Sequence, residues 1–205
     1  ARKGKVVHFE QVGQLDKESN KPMTEDAVFR IYSMTKPIIC VALMTLYEQG
    51  RFQLNDTVAK FIPAFDDLKV LECDEKGEAK EVDLARPPTV RSLLTHTSGL
   101  SYDFLEDYPV AELYRQAGIL NNAERTLEEL VHELSRLPLA FQPDSNWHYS
   151  LGIDVAARLI EIISGQALEQ FLKENIFDPL GMVDTGFSVA PEEQHRIATM
   201  YGLPD

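Results

Sequence analysis

Cysteine is rare in this chain. Only Cys40 and Cys73 are present, and their isolation rules out a disulfide framework or a zinc site. Positive charge is short as well, with 20 Lys and Arg against 33 Asp and Glu. The formal net charge of −13 excludes nucleic acid and an anionic membrane surface as partners, because both need clustered cations. No run of about 18 apolar residues occurs, so no segment reads as a transmembrane helix. A signal-peptide pattern is missing, which favours a cytoplasmic over a periplasmic setting and leaves the redox compartment open. The chain also lacks a Gly-x-Ser-x-Gly elbow, a glycine-rich phosphate loop, a His-Glu-x-x-His helix and a calcium loop. His132-Glu133 begins like a metalloprotease helix, but Arg136 stands where the second histidine is required. These absences leave no metal or cofactor to expect, and they suit a neutral or apolar small molecule as substrate.

What is present is an ordinary globular composition, 44% hydrophobic and 26% charged over 205 residues, enough for one good core or two closely packed lobes. The most telling segment is Ser33-Met34-Thr35-Lys36, set between a short extended run at 28–32 and an apolar stretch at 37–49 that stops at Gly50. That stretch reads as a buried helix, apolar nearly all round, with a glycine C-cap. A hydroxyl and an amine three residues apart at a helix start share one face, so Lys36 can reach a Ser33 hydroxyl that attacks a carbonyl. The partial positive charge of the helix end is expected to lower the pKa of the amine and to help bind an oxyanion. Pro37 predicts a distorted first turn, because it biases Lys36 away from helical dihedrals. Taken alone the motif is weak, since about one chance Ser-x-x-Lys match is expected in a chain of this length. The competing reading is Ser33 as a plain N-cap and Lys36 as a solvated lysine.

A second chemical candidate is Tyr149, in Asn146-Trp147-His148-Tyr149-Ser150, directly before a helix that starts near Leu151. A phenol at a helix N-terminus and close to a lysine can be held as phenolate and act as base for a serine. Aromatic residues in this position also simply pack the approach to the helix. His96 beside Ser98, and His148, can be read as partners of a serine or as local turn chemistry.

Along the chain, residues 5–10 and 28–32 read as two strands joined by a polar connection containing Pro22. Residues 54–63 read as a short helical turn ended by proline, and 69–84 as an exposed hairpin around the solvated charge run Asp74 to Glu78. Helices are expected at 89–94, 110–117, 126–137, 151–163 (closed by Gly165) and 167–175. Two strands cannot form a stable sheet by themselves, so residues 1–205 are expected to be one segment of a longer polypeptide that supplies further strands.

Several ordered segments carry a resemblance. Phe29-Arg30-Ile31-Tyr32-Ser33-Met34-Thr35-Lys36-Pro37 is followed by Leu54-x-Asp56-x-Val58-x-Lys60-x-x-Pro63 and then by Thr89-Val90-Arg91-x-Leu93-Leu94-Thr95-His96-Thr97-Ser98-Gly99-Leu100. Trp147-x-Tyr149-Ser150 and Pro179-Leu180-Gly181-Met182-x-Asp184-Thr185-x-Phe187 complete the series. In this order they resemble the serine β-lactamase and penicillin-binding-protein superfamily, in the branch of the class C β-lactamases and most like the family VIII carboxylesterases. The likeness implies an α+β, β-lactamase/transpeptidase-like fold, with a helical lobe packed on an antiparallel sheet whose C-terminal strands lie outside this chain. It implies a single, incomplete serine hydrolase domain over 1–205, with strands and the nucleophile helix in 1–50 and a mainly helical lobe in 51–190. It makes Ser33 the nucleophile, Lys36 its activating partner and Tyr149 the shared base, with no cofactor. The substrate implied is a small ester or β-lactam-like molecule, and the one macromolecular partner is the remaining C-terminal segment of the same enzyme.

Two departures bear on the reaction. Class C enzymes carry Tyr-x-Asn, whose amide contacts the substrate, but the third position here is Leu151, as befits an esterase. The third motif, Lys-Thr-Gly or a His-x-Gly or Trp-x-Gly variant that supplies an oxyanion N–H, does not follow Tyr149. A short-chain carboxylesterase acting through an acyl-serine is therefore the leading expectation. A β-lactamase, a D-amino-acid peptidase or an acyltransferase would use the same site, and a noncatalytic penicillin-binding-like sensor or scaffold is the alternative from another class. The catalytic readings require Ser33 Oγ, Lys36 Nζ and Tyr149 Oη to lie within or near hydrogen-bond reach.

Overall fold

The computed structural model describes residues 1–73, 78–122 and 124–202. In chain order its elements are β1 (Gln14–Asp16), β2 (Lys21–Pro22), α1 (Thr35–Glu48), β3 (Lys69–Cys73), β4 (Ala79–Asp83), α2 (Val90–Leu94), α3 (Val110–Gln116), α4 (Leu127–Leu134), α5 (Gly152–Ser164), α6 (Leu168–Leu172) and α7 (Asp178–Leu180). β1–β2 and β3–β4 are separate antiparallel pairs.

Apolar residues at Ile39, Ala42, Leu43 and Leu46 recur at helical spacing and form the buried stripe of α1. The stripe belongs to one hydrophobic cluster with Ile153, Val155, Ala156, Leu159 and Ile160 of α5, and the two helices pack directly together. They run side by side in the same direction. Ser33 and Tyr149 meet at their N-terminal ends, and beyond their C-terminal ends Arg51 donates to the Ile163 carbonyl at 2.6 Å. That guanidinium satisfies one of the carbonyls the last turn of α5 leaves without a helical partner, and Gly165 (φ 75°) closes the helix. The expectation of a helix buried all round does not hold. Val41 is 56% exposed, because among the described residues only the α5-facing stripe of α1 is covered.

Pro37 sits in the first turn of α1, where its missing N–H would be unpaired in any case. Lys36 therefore lies within the helix, and the expected distortion falls earlier, in a 3₁₀ turn at Tyr32–Met34. Capping boxes start two further helices. Thr89 and Ser92 exchange backbone and hydroxyl bonds at α2, and Glu129 N–H donates to Thr126 Oγ1 at 3.2 Å at α4. The expected helix at 167–175 instead widens after α6 into a π-helical turn, Lys173–Phe177, before α7. Pro63 does not end a helical turn but opens a second one, Pro63–Phe65, after Val58–Lys60.

The two expected strands are not formed as such. Residues 5–10 have exposed side chains, including Val6, Val7 and Phe9, and find no ladder among the described residues. From the 28–32 run only Val28 pairs, in an isolated parallel bridge with Ile197. The polar connection between them carries the β1–β2 hairpin instead, with Pro22 at its edge. β3–β4 confirms the hairpin expected at 69–84, and the Lys69–Leu139 backbone bond of 2.8 Å extends β3 on its other edge. Asp74, Glu75, Lys76 and Gly77 of the expected charge run lie outside the described residues. Arg196 fastens residues 184–196 to the stretch preceding Ser33: it pairs with Asp184 at 2.9 Å and Glu193 at 2.7 Å, and donates to the Asp26 carbonyl at 2.8 Å.

The loop after α2 is held against residues 139–144 by Ala140 N–H to Gly99 O (2.7 Å) and Asp144 N–H to Thr97 O (2.7 Å). Gly99 has φ +86°, and a Cβ there would lie 2.4 Å from the Phe141 carbonyl oxygen. Gly99→Ala is expected to destabilise the protein by about 3 kcal/mol or more, measured as a lowered urea midpoint with unchanged slope.

Candidate active site

The chain reaches Ser33 through Tyr32, a non-glycine residue at φ 44°, which turns the extended approach into the 3₁₀ turn and leaves Ser33 exposed at the mouth of α1. That left-handed conformation costs about 1–2 kcal/mol, so it has to be held by its surroundings. Ser33 is not a cap. The N-cap of α1 is Met34, which makes no side-chain cap bond. The Ser33 side chain is engaged elsewhere: Lys36 Nζ donates to its Oγ at 3.3 Å, and Tyr149 Oη donates to the same atom at 2.6 Å from 116 positions away. All three candidate residues are thus brought together.

Two loops place Tyr149. His96, itself at φ 58°, accepts from the Ser150 backbone N–H through Nδ1 at 3.3 Å, its carbonyl accepts from His148 N–H at 2.9 Å, and its ring lies 5.0 Å from the Tyr149 ring. Ser101 Oγ and His148 Nε2 lie 2.9 Å apart and tie the stretch after α2 to the stretch before α5. Asp107 stands 4.0 Å from the other nitrogen of His148, completing a Ser-His-Asp order. Ser101 is fully buried, however, so its hydroxyl meets no substrate and the constellation is a structural tie. The suggested pairing of His96 with Ser98 is absent, because Ser98 Oγ accepts from the Leu100 N–H and the His96 ring faces Ser150. Burial, and then the charge of Lys36, lower the pKa of His96, and burial lowers that of His148, so both favour the neutral ring.

The electrostatics centre on Lys36. Burial works against its ammonium, but hydrogen bonds to Tyr149 and Tyr102 outweigh burial and raise its pKa. This reverses the expectation that the helix end lowers it. For Tyr149 burial likewise opposes ionisation, and its hydrogen-bonding interactions with Lys36 and Ser33 outweigh it, so the phenol pKa is lowered. Tyr102 moves the other way, raised by burial and then by the charge of Asp154.

Sequence reasoning missed Tyr102 and Asp154. Tyr102 is 7% exposed, its ring stacks on Tyr149 at 5.5 Å, and Lys36 Nζ lies 5.6 Å from its centroid. No spacing rule links residue 102 to residue 36, so nothing in the sequence pointed to it. Asp154 had a legible signal, a lone carboxyl in the apolar run Gly152-Ile153-Asp154-Val155-Ala156-Ala157. It lines, with Ser33, Lys36, Ile39, Ile153 and Phe187, a cleft of about 330 Å³, and burial raises its pKa. Leu151, by contrast, is 1% exposed and part of the core cluster.

A hydroxyl flanked by an ammonium and a phenol of lowered pKa can carry acyl transfer. A model of the Beta-lactamase family matches residues 1–205. The chain belongs to that family. Protein Rv1367c of Mycobacterium tuberculosis is 35% identical over 98% of this chain and 49% of its own length. Esterase EstB of Burkholderia gladioli is 34% identical over 100% of this chain and 50% of its own. Among solved structures, EstCE1, described as a hydrolase with promiscuous acyltransferase activity, superposes with a TM-score of 0.82 at 32% identity, covering 98% of this chain and 50% of that one. The fold is therefore β-lactamase/transpeptidase-like, as the motifs implied, and the chain spans about half the length of the curated relatives it matches.

The lowered phenol has a direct readout. Tyrosinate absorbance, taken as wild type minus Tyr149→Phe, is expected to show Tyr149 titrating below the ordinary 10.0. Lys36→Met is expected to move that titration upward, because it removes both the hydrogen bond and the positive charge.

Proposed function

We propose that this protein is a serine carboxylesterase that cleaves short-chain esters through an acyl-Ser33 intermediate. The observation that carries the reading is the 2.6 Å contact of Tyr149 Oη with Ser33 Oγ beside the Lys36 ammonium. In the reactive state Tyr149 is the phenolate and Lys36 the ammonium that stabilises it, the distribution that the opposite displacements of their pKa values favour. Ser33 Oγ attacks the ester carbonyl carbon as its proton passes to Tyr149. The backbone N–H of Ser33 supports the oxyanion from this chain. Tyr149 then returns the proton to the departing alkoxide, and the carbonyl–oxygen bond breaks to leave acyl-Ser33. Water attacks the acyl carbon, gives a proton to Tyr149 and releases the acid; Ser33 leaves with that proton.

The esterase name of the Burkholderia relative supports hydrolysis. A second reading, acyl transfer to an alcohol, is favoured by the exposure of Ser33 and by the description of EstCE1. It differs only in the acceptor that resolves acyl-Ser33. Slow amide chemistry follows from Leu151, which is enclosed in the core and carries no amide to hold a β-lactam.

In the native protein, Ser33→Ala is expected to abolish both p-nitrophenyl ester turnover and phosphonate labelling. Lys36→Ala and Tyr149→Phe are each expected to lower kcat by about a thousandfold, with losses that do not add because the three groups act as a unit. Near-normal turnover in Ser33→Ala would overturn the assignment. A chromogenic cephalosporin is expected to be a poorer substrate than p-nitrophenyl butyrate by kcat/KM. Higher kcat/KM for the cephalosporin than for every short-chain ester tested would overturn the esterase reading in favour of a β-lactamase.

A further inference from the structure

An ammonium has three N–H donors, and a lysine that must sit in one orientation needs three acceptors. Around Lys36 Nζ the structure places Ser33 Oγ at 3.3 Å and two phenol side chains, Tyr149 with its ring centroid 4.8 Å away and Tyr102 with its centroid 5.6 Å away. We propose that Tyr102 is a positioning residue of the site, a neutral phenol whose oxygen holds the Lys36 ammonium between Ser33 and Tyr149. The inference rests on the assignment of Ser33, Lys36 and Tyr149 made above and adds a residue to it.

Three further observations fit this role. Tyr102 is built in rather than incidental: its ring is nearly buried, stacked on Phe104 at 4.8 Å and on Tyr149 at 5.5 Å. The residues beside the two phenols, Ser101 and His148, are joined by a buried side-chain contact of 2.9 Å that ties the Tyr102 segment to the Tyr149 segment. The two phenols are also displaced in opposite directions, Tyr102 up and Tyr149 down. Paired groups driven apart in this way divide roles, one to titrate and one to stay neutral. Tyr149 touches Ser33 and is suited to titrate. Tyr102 has no contact with Ser33 and is suited to accept from Lys36 without competing for the serine proton.

The charged and titratable groups that face Lys36 come from every side of the site. Tyr149 and Asp154 stand at the start of α5, Tyr102 and His96 on the loop after α2, and His148 lies behind His96 with Asp107 beside it. Asp154 is in the same cleft and its charge is felt by Lys36, Tyr102 and Tyr149, so a change in Lys36 must be separated from a change in the carboxyl.

The test compares Tyr102→Phe with Tyr102→Leu in the native protein, using p-nitrophenyl butyrate turnover and the rate of fluorophosphonate labelling of Ser33 across pH. Phenylalanine keeps the stacked ring and removes only the acceptor; leucine removes both. The expected result for Tyr102→Phe is a fall in kcat of about ten- to a hundredfold, the weight of a hydrogen bond to a charged group. The alkaline limb of the profile, where Lys36 loses its proton, is expected to move to lower pH by about half a unit or more, because a bond that raised the lysine pKa is gone. Asp154→Asn in the same background is expected to leave that alkaline shift in place. A wild-type profile in Tyr102→Phe would overturn the proposal, as would a loss of rate without an alkaline shift, or a loss confined to Tyr102→Leu, which marks a packing role alone. Loss of the alkaline shift on adding Asp154→Asn would also overturn it, by assigning the effect to the carboxyl. Failure of the underlying assignment is seen separately, as phosphonate labelling that survives in Ser33→Ala.

Discussion

The packing of α1 against α5 is the constraint on which the site depends. One helix presents Ser33 and Lys36 at its start, the other is preceded by Tyr149, and because the two run in the same direction their N-terminal ends open on one place. The apolar stripe Ile39, Ala42, Leu43 and Leu46 and its partners on α5 set the distance between them. A large-to-small change in such a stripe costs about 2–5 kcal/mol and lets neighbours relax by fractions of an ångström. A contact of 2.6 Å at the helix mouths tolerates little of that. Core packing and the geometry of the Ser33–Tyr149 contact are in this sense one property.

Charge at the site is economical. The half-buried ammonium of Lys36 touches the Ser33 hydroxyl and the Tyr149 and Tyr102 rings, with the Asp154 carboxyl in the same cleft, and among the described residues it makes no salt bridge. Its field lowers one phenol, and burial keeps the other and the two nearby histidines neutral. The result is a phenol of lowered pKa beside an ammonium, in a chain whose overall charge is strongly negative. The net charge describes the surface and has no bearing on the polarity of the cleft.

Much of this was legible in the sequence. The apolar run ending at Gly50, the cap at Thr126 and the terminating Gly165 follow local rules, and the corresponding helices are present within a residue or a few. Ser33 and Lys36 were visible because helical spacing puts them on one face. Tyr149 was visible as a phenol at a helix start, a weak local signal that the motif order strengthened. The strands failed for a physical reason: β-rich residues at 5–10 and 28–32 define a capacity to pair, and pairing needs a neighbour that no local window specifies. Tyr102 was invisible for the same kind of reason, since its value lies wholly in a tertiary contact with Lys36. The direction of the Lys36 pKa shift was misjudged from the helix end alone, because the phenols that decide it arrive from distant segments.

The Arg196 clamp has a consequence in time. Its bond to the Asp26 carbonyl and the Val28–Ile197 bridge join the approach to Ser33 with residues some 170 positions later. Contacts of such separation form late and slow folding. During synthesis at ordinary rates the ribosome needs on the order of ten seconds or more to add that many residues. The contacts that fix the approach to Ser33 therefore close only after residues 184–197 have been made, long after Ser33 and Lys36 themselves.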